Sequence, residues 1–292
     1  DLTAIHNVYF KPHNGGMMFE YDFKAVEKNI LDTMTRRREG YHDKLHQAKL
    51  AGENPHSDGA ASIHDLVIAK EPGLEKYLIY DDYQRKSLID HVLPRDTGMN
   101  AFYEHSYREA GDFVNGAYRL LSKSVDDHAI ILTLAREGNC QINGMDGIVK
   151  VTKKVSILRH EEIVTVDYTI TNLNDQPISF DFAVEFNFGL QAGHADDRYY
   201  YYKSGRPETS WLDSCSAVSG ESFIGLKDEY MRIDIRVEAP GNKALWHVPV
   251  ETISLSEAGF ERVYQSSAVL AVYAIDLSDE AHFSITQKVA TF

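Results

Sequence analysis

The 292 residues are 43% hydrophobic and 25% charged, with a formal net charge of −14. That composition builds an ordinary globular core, and the excess of acidic side chains excludes nucleic acid, whose binding relies on cations that displace phosphate counterions. No apolar run approaches the roughly 18 residues needed to cross a bilayer, so no membrane partner is expected. The two cysteines, Cys140 and Cys215, argue against a disulfide framework and read as reduced thiols of a cytoplasmic protein.

Asp1-Leu2-Thr3 has neither the basic nor the apolar region of a signal peptide. An opening without methionine, on what reads as a strand, suggests a piece of a longer polypeptide. Residues 4 to 23 read as a hairpin: an extended run through Tyr9 and Phe10, a turn at His13-Asn14-Gly15-Gly16, and a return from Met17 to Phe23. Asn-Gly between apolar runs marks such turns because both residues tolerate positive φ. From Arg38 to Ala51, Tyr41, Leu45 and Ala48 recur at helical spacing and predict a surface helix ending before Gly52. Residues 52 to 60 form a polar loop, and Pro72-Gly73 opens a short helical segment reaching Tyr80.

Beyond Met99 short alternating runs dominate, separated by turn signals such as Asn143-Gly144 and Ala239-Pro240-Gly241-Asn242. Two neighbouring runs alternate most clearly. In 163 to 172, Val164, Val166, Tyr168 and Ile170 share one face, opposite Thr165, Asp167 and Thr169. In 179 to 189, Phe180, Phe182, Val184, Phe186 and Phe188 oppose Asp181, Glu185 and Asn187. Their short link predicts antiparallel pairing, which joins the polar residues into one strip. The expected fold is a mainly β, antiparallel sandwich, one domain over 1–292, with a few helices inserted in its N-terminal third.

The sequence has no phosphate-cradling glycine loop, no His-Glu-x-x-His helix, no Gly-x-Ser-x-Gly elbow and no zinc-spaced cysteine pair. His13, His42, His64 and His91 lie in the irregular N-terminal third, but their spacing specifies no metal; neither metal nor cofactor is expected. Asp167 and Glu185, facing each other across adjacent strands, match the roughly 5 Å separation of a retaining glycosidase pair, yet a solvated outer sheet face has the same composition. Asp167, Asp181, Glu185, Asn187 and Trp211 are thus the candidate sugar contacts. The run Tyr199 to Tyr202 sends two rings to each face of a strand, so at least half of them pack in the core. Arg36-Arg37-Arg38, followed by Tyr41 and His42, reads either as a solvated face or as a docking surface, where arginine and aromatics are enriched.

Several ordered segments carry a resemblance. Lys11-Pro12-His13-Asn14-Gly15-Gly16 with Phe19-Glu20, Arg36-Arg37 with Tyr41-His42, and Ala61-Ser62-Ile63-His64-Asp65-Leu66 come first. Tyr80-Asp81, Arg85, Asp90-His91, Glu109, Gly111 to Asn115, Val184-Glu185, and Ile253-Ser254 to Ser256-Glu257-Ala258-Gly259 follow. Together they resemble the C-terminal region of 4-α-glucanotransferases of glycoside hydrolase family fifty-seven, whose α-amylases share this region. The resemblance implies a galactose-mutarotase-like supersandwich that follows a catalytic (β/α)7 barrel. It places the catalytic carboxylates in that barrel, so no catalytic residue is carried over to this chain. The stretch from Ala192 to Leu212 departs from the family pattern.

The resulting expectation is an accessory domain that packs on the barrel of its own polypeptide through Arg36, Arg37, Tyr41, His42 and His64, and contacts an α-glucan or maltooligosaccharide. The alternatives are a stand-alone mutarotase or epimerase using Asp167, Glu185 or a nearby histidine, and a purely structural module.

Overall fold

The alternating runs become strands because each can bury one face while its neighbours satisfy the backbone. The computed structural model describes residues 3–47, 49–50, 68–142 and 144–292. In chain order its strands are β1 (His6–Lys11), β2 (Met17–Phe23), β3 (Lys28–Asn29), β4 (Lys49–Leu50), β5 (Ile68–Ala69) and β6 (Ile89–Leu93). After a short helix, α1 (Met99–Tyr103), come β7 (Arg119–Val125), β8 (Ala129–Ile142), β9 (Met145–Leu158), β10 (Ile163–Asn172), β11 (Ile178–Phe188) and β12 (Arg198–Tyr202). The last six are β13 (Ser216–Val218), β14 (Phe223–Asp228), β15 (Ile233–Glu238), β16 (Ala244–Ser256), β17 (Gly259–Leu277) and β18 (Glu280–Thr291).

One large sheet has the order β12-β14-β15-β18-β10-β9-β8-β7; the other has β13-β16-β17-β11-β6, with β5 attached to β17. The long strands pair antiparallel, which is the expected sandwich. The N-terminal hairpin also forms, between β1 and β2. Its turn requires glycine: Gly15 has φ +64, and a Cβ there would sit 2.4 Å from the carbonyl oxygen of Val114.

The expected pairing of β10 with β11 does not occur. β10 lies between β9 and β18, whereas β11 lies in the opposite sheet between β17 and β6. Their apolar faces meet across the core instead, with the Tyr168 and Phe182 rings edge to face at 5.7 Å. Packed sheets are only about 10 Å apart, so a five-residue link can cross between layers as readily as it can turn within one. Burying each phenylalanine of β11 contributes roughly 1.5–3 kcal/mol relative to exposure.

The two strands also differ on their second face. That of β10 carries the exposed Asp167, a solvated outer face. That of β11 is covered: Ala183, Trp246, Val248, Leu270 and Val272 form a second apolar layer beneath Phe102 of α1. Asp181, Glu185 and Asn187 are therefore buried.

The helix expected over Arg38 to Ala51 is reduced to a 3-10 helix, His42–Gln47, followed by the extended β4. Isolated short helices are marginal, so tertiary contacts decide; here Tyr41 and Leu45 pack against Ile253 and Phe260. The segment after Pro72-Gly73 is likewise a 3-10 helix, Leu74–Tyr77. The loop at 52 to 60 and the segment bearing His64 lie outside the described residues.

Candidate functional site

Beneath α1 the second face of β11 meets side chains from the segment before β6, and together they form a buried ladder of charge. Arg36 Nη2 donates to Asp81 Oδ1 at 2.6 Å, and Arg85 Nε donates to the same oxygen at 2.9 Å. Arg85 Nη1 reaches Glu185 Oε1 at 2.9 Å, His91 Nε2 reaches Glu185 Oε2 at 2.9 Å, and His91 Nδ1 reaches Glu109 Oε2 at 2.9 Å. With both ring nitrogens donating, His91 is an imidazolium. Three cations thus alternate with three carboxylates, and the ladder is neutral. Tyr83 and Asn187 also donate to Glu185, at 2.7 and 2.6 Å.

The ladder joins two concavities. Arg36 lines a groove of about 530 Å³, and Glu109 lines a cavity of about 400 Å³. Deeper, between the two sheets, a second charge pair is buried. Lys153 Nζ contacts Asp90 Oδ2 at 2.9 Å and donates to the carbonyls of Leu88 and Gly15 at 2.9 and 3.1 Å. Asp90 also accepts the hydroxyls of Tyr118 and Tyr168. Every donor of the ammonium is thereby satisfied, the condition for tolerating a buried charge.

Burial pushes the Glu185 carboxyl up, but Arg85, His91 and Asn187 outweigh it and hold the group at about 2. Burial likewise raises Asp81, and Arg85 with Arg36 brings it to about 2. Burial would lower His91, yet Glu109 and Glu185 raise it to about 9. The His91 contribution is therefore complete below its unfolded value of 6.5 and is lost as pH rises through about 9. The Glu185 and Asp81 contributions are complete above 4.5 and 3.8 and are lost as pH falls toward about 2. His6 and His247, buried and held neutral down to about 4, add a further loss below 6.5. Thermal unfolding midpoints should peak near neutral pH and fall on both sides, and His91→Gln should remove the decline between pH 6.5 and about 9. A wild-type midpoint that does not change across that range, or a decline between pH 6.5 and about 9 that persists in the variant, counts against this assignment.

The candidate sugar contacts are not gathered. Asp167 sits on the outer face of β10, where it accepts from Ser284; it does not face Glu185, which belongs to the other sheet. Asp181, Glu185 and Asn187 have no exposed surface, so none reaches a sugar in this structure. Glu185, surrounded by donors, cannot pair with Asp167 as an acid and base. Trp211 is half-buried, stacked on His194 at 4.1 Å, with Nε1 donating to Asp196 at 3.0 Å. In the tyrosine run, Tyr200 and Tyr202 are buried and Tyr199 and Tyr201 half-buried on the other face.

Arg36, Arg37, Tyr41 and His42 do converge on the groove. Arg36 is buried and spent on Asp81, so it shapes the floor, whereas Arg37 is exposed. His42 Nδ1 accepts from Glu39 N and lies 3.1 Å from the Tyr80 hydroxyl, while Nε2 reaches the Ile253 carbonyl at 3.1 Å. These contacts fix the ring. The ladder residues Asp81, Arg85, His91 and Glu109 had no assigned role. Their signals were the i,i+4 spacing of Asp81 and Arg85 and the charged Asp90-His91 within an apolar run.

The family model for the C-terminal region of α-amylase/4-α-glucanotransferase matches residues 2–286. Alpha-amylase 1 of Dictyoglomus thermophilum is 29% identical over 276 residues, which cover 94% of this chain and 37% of that protein. The chain therefore spans little more than a third of that relative. The crystal structure of 4-alpha-glucanotransferase from Thermococcus litoralis is similar with a TM-score of 0.72 at 21% identity, covering 98% of this chain and 36% of that one. A putative aldose 1-epimerase from Escherichia coli K12 shares the fold at TM-score 0.52 and 11% identity, over 98% of this chain and 100% of its own. With the family model extending over residues 2–286, the chain belongs to the C-terminal domain family of α-amylases and 4-α-glucanotransferases.

Proposed function

We propose that the chain, as one domain over 1–292, is the non-catalytic partner of a catalytic barrel in a cytoplasmic α-1,4-glucan-processing enzyme, and that the barrel seats on the groove beside Arg37 and Tyr80. The observation that carries this reading is the family match over 2–286 in a chain spanning little more than a third of its relative. The groove supports it, because the ladder rigidly positions its floor while Met34, Arg37 and Tyr80 stay exposed at its rim. Exposed apolar and aromatic side chains around a forked cation are the composition of an interface. The free thiols of Cys140 and Cys215 suit a reducing compartment.

The test is to supply the parent enzyme's barrel in trans and measure its affinity for this chain. Arg37→Glu with Met34→Ala should weaken association at least tenfold while the chain's own unfolding curve is unchanged. Equal affinity rejects the groove as the seat. The chain alone should leave maltoheptaose intact, and turnover by it rejects the non-catalytic reading.

A further inference from the structure

The outer face of the large sheet carries a charge pattern that the groove and the ladder leave unexplained. Where β12, β14, β15 and β18 run side by side, Tyr201, Gly225, Arg236 and Lys288 stand in one cross-strand row. Arg236 and Lys288 are thus directly opposed, an arrangement of like charges that destabilises a sheet. Tyr199, Lys227 and Asp234 occupy the next row. Two small concavities open along these rows. One, of about 250 Å³, is lined by Arg206, Lys227 and Arg236 together with the two tyrosines; the other, of about 180 Å³, is lined by Arg236 and Lys288. Asp234 lines both and is the single carboxylate set against four cations, in a chain whose net charge is −14.

Internal partners do not balance these cations. Arg236 Nη2 donates to Asp234 at 3.2 Å, and Asp234 also accepts the Tyr201 hydroxyl. Arg206 is exposed; its Nε donates to Ser210 Oγ at 2.8 Å, its Nη2 to the Asp196 carbonyl at 3.2 Å, and its guanidinium lies 3.7 Å over the Tyr199 ring. The Lys227 ammonium lies 3.9 Å over the Phe292 ring. Among the described residues neither Lys227 nor the half-buried Lys288 is paired with a carboxylate. The frame around Arg236 is nonetheless fixed. A Cβ at Gly225 would lie 2.1 Å from Tyr201 Cε1, so the ring crosses β14 at a residue that leaves it room. Its hydroxyl then accepts from Arg236 Nε at 2.6 Å, which holds the guanidinium in the row it shares with Lys288. A repulsive pair held in place without an internal counterion breaks a local rule of sheet building, and such breaks mark functional positions. Tyr199, Tyr201 and Arg206 also fall in the stretch from Ala192 to Leu212, so the family resemblance does not account for them.

We propose that this face is an anion site for a phosphate group, free or esterified, bound between Arg236 and Lys288 with Lys227 and Arg206 at its flank. A phosphate group carries about −1.5 to −2 charges at neutral pH and at least three acceptor oxygens, which suits a forked guanidinium beside the point charges of ammonium groups. A single carboxylate would leave most of the surplus uncompensated.

Calorimetric titration of this chain with inorganic phosphate and with glucose 1-phosphate, in a phosphate-free buffer of physiological ionic strength, tests it. Saturable binding of at least one probe is expected at millimolar concentration or below, and the tighter probe identifies the free or the esterified form as the ligand. Lys288→Glu should weaken binding at least tenfold while the urea midpoint holds or rises, because the opposed like charges are gone. Lys227→Ala should weaken it as well. Lys154→Glu makes the same charge change on an exposed residue of β9, two strands from β18 and in register with Ser284. It lies beyond the Debye length of about 8 Å from Lys288 and should leave binding unchanged. The site is overturned by the absence of saturation with both probes, by affinity unaltered in both Lys288→Glu and Lys227→Ala with native circular dichroism, or by an equal loss in Lys154→Glu. The groove is walled by β16 and β17 of the other sheet and the titration involves no barrel, so the two proposals fail separately.

Discussion

Glu185→Gln should lower the unfolding free energy by about 3–5 kcal/mol, the cost of breaking a buried ion pair from one side. The carboxylate accepts from Tyr83, Arg85, His91 and Asn187, and all four are donors at this site. An amide brings two donors of its own, so at least one N–H must confront another N–H or O–H, and the charge on His91 loses its inner counterion. The volume hardly changes, which separates this electrostatic loss from a cavity effect. Urea unfolding measures it: the midpoint should fall with the slope unchanged. A loss below about 1 kcal/mol would mean that the ladder relaxes around the substitution and is not the rigid frame described above.

Lys153→Met should be of similar size, about 3–5 kcal/mol, because Asp90 would remain buried without its cation and the Gly15 and Leu88 carbonyls would lose a donor. Burial lowers the lysine pKa and Asp90 opposes that shift, so geometry, more than titration, identifies the pair. A double-mutant cycle with Asp90→Asn isolates the interaction, since the two side chains touch each other and share neighbours. Coupling of at least about 1 kcal/mol is expected from the cycle; additivity within error would show that each group is stabilised independently.

Much of the sandwich was legible. Alternation located β10 and β11 to within a residue or so, because period two directly reports which side chains share a face. Sheet membership was not legible, since a face pattern does not say which layer a strand joins, and a link of five residues suits either. The helix over Arg38 to Ala51 failed for a related reason: Tyr41 and Leu45 do share a buried cluster, but i,i+4 spacing does not distinguish a full α-helix from a single 3-10 segment pinned by tertiary contacts. Asp181, Glu185 and Asn187 were read as one polar face, correctly, yet nothing local reveals that α1 and Trp246 cover it.

The ladder itself was hidden by distance along the chain, since Arg85 and Glu185 are 100 residues apart. Its traces are visible in retrospect. Lys153 occupies the apolar side of an alternating run between Val151 and Val155, and Asp90-His91 interrupts the apolar Ile89 to Leu93. A charge on the wrong face of a strand is a reason to look for a buried partner. The segments that carried the family resemblance contribute Arg36, Asp81, Arg85, His91, Glu109 and Glu185, so part of the likeness lies in interior ion pairs.

Alternation of sign constrains how such a chain can drift. Each interior member touches two opposite charges, so removing it alone strands an ion in the protein interior. Every remaining ion keeps a partner only when a whole plus-minus rung departs: Arg36 with Asp81, Arg85 with Glu185, or His91 with Glu109. Lineages can therefore lose the ladder a rung at a time, but not one ion at a time.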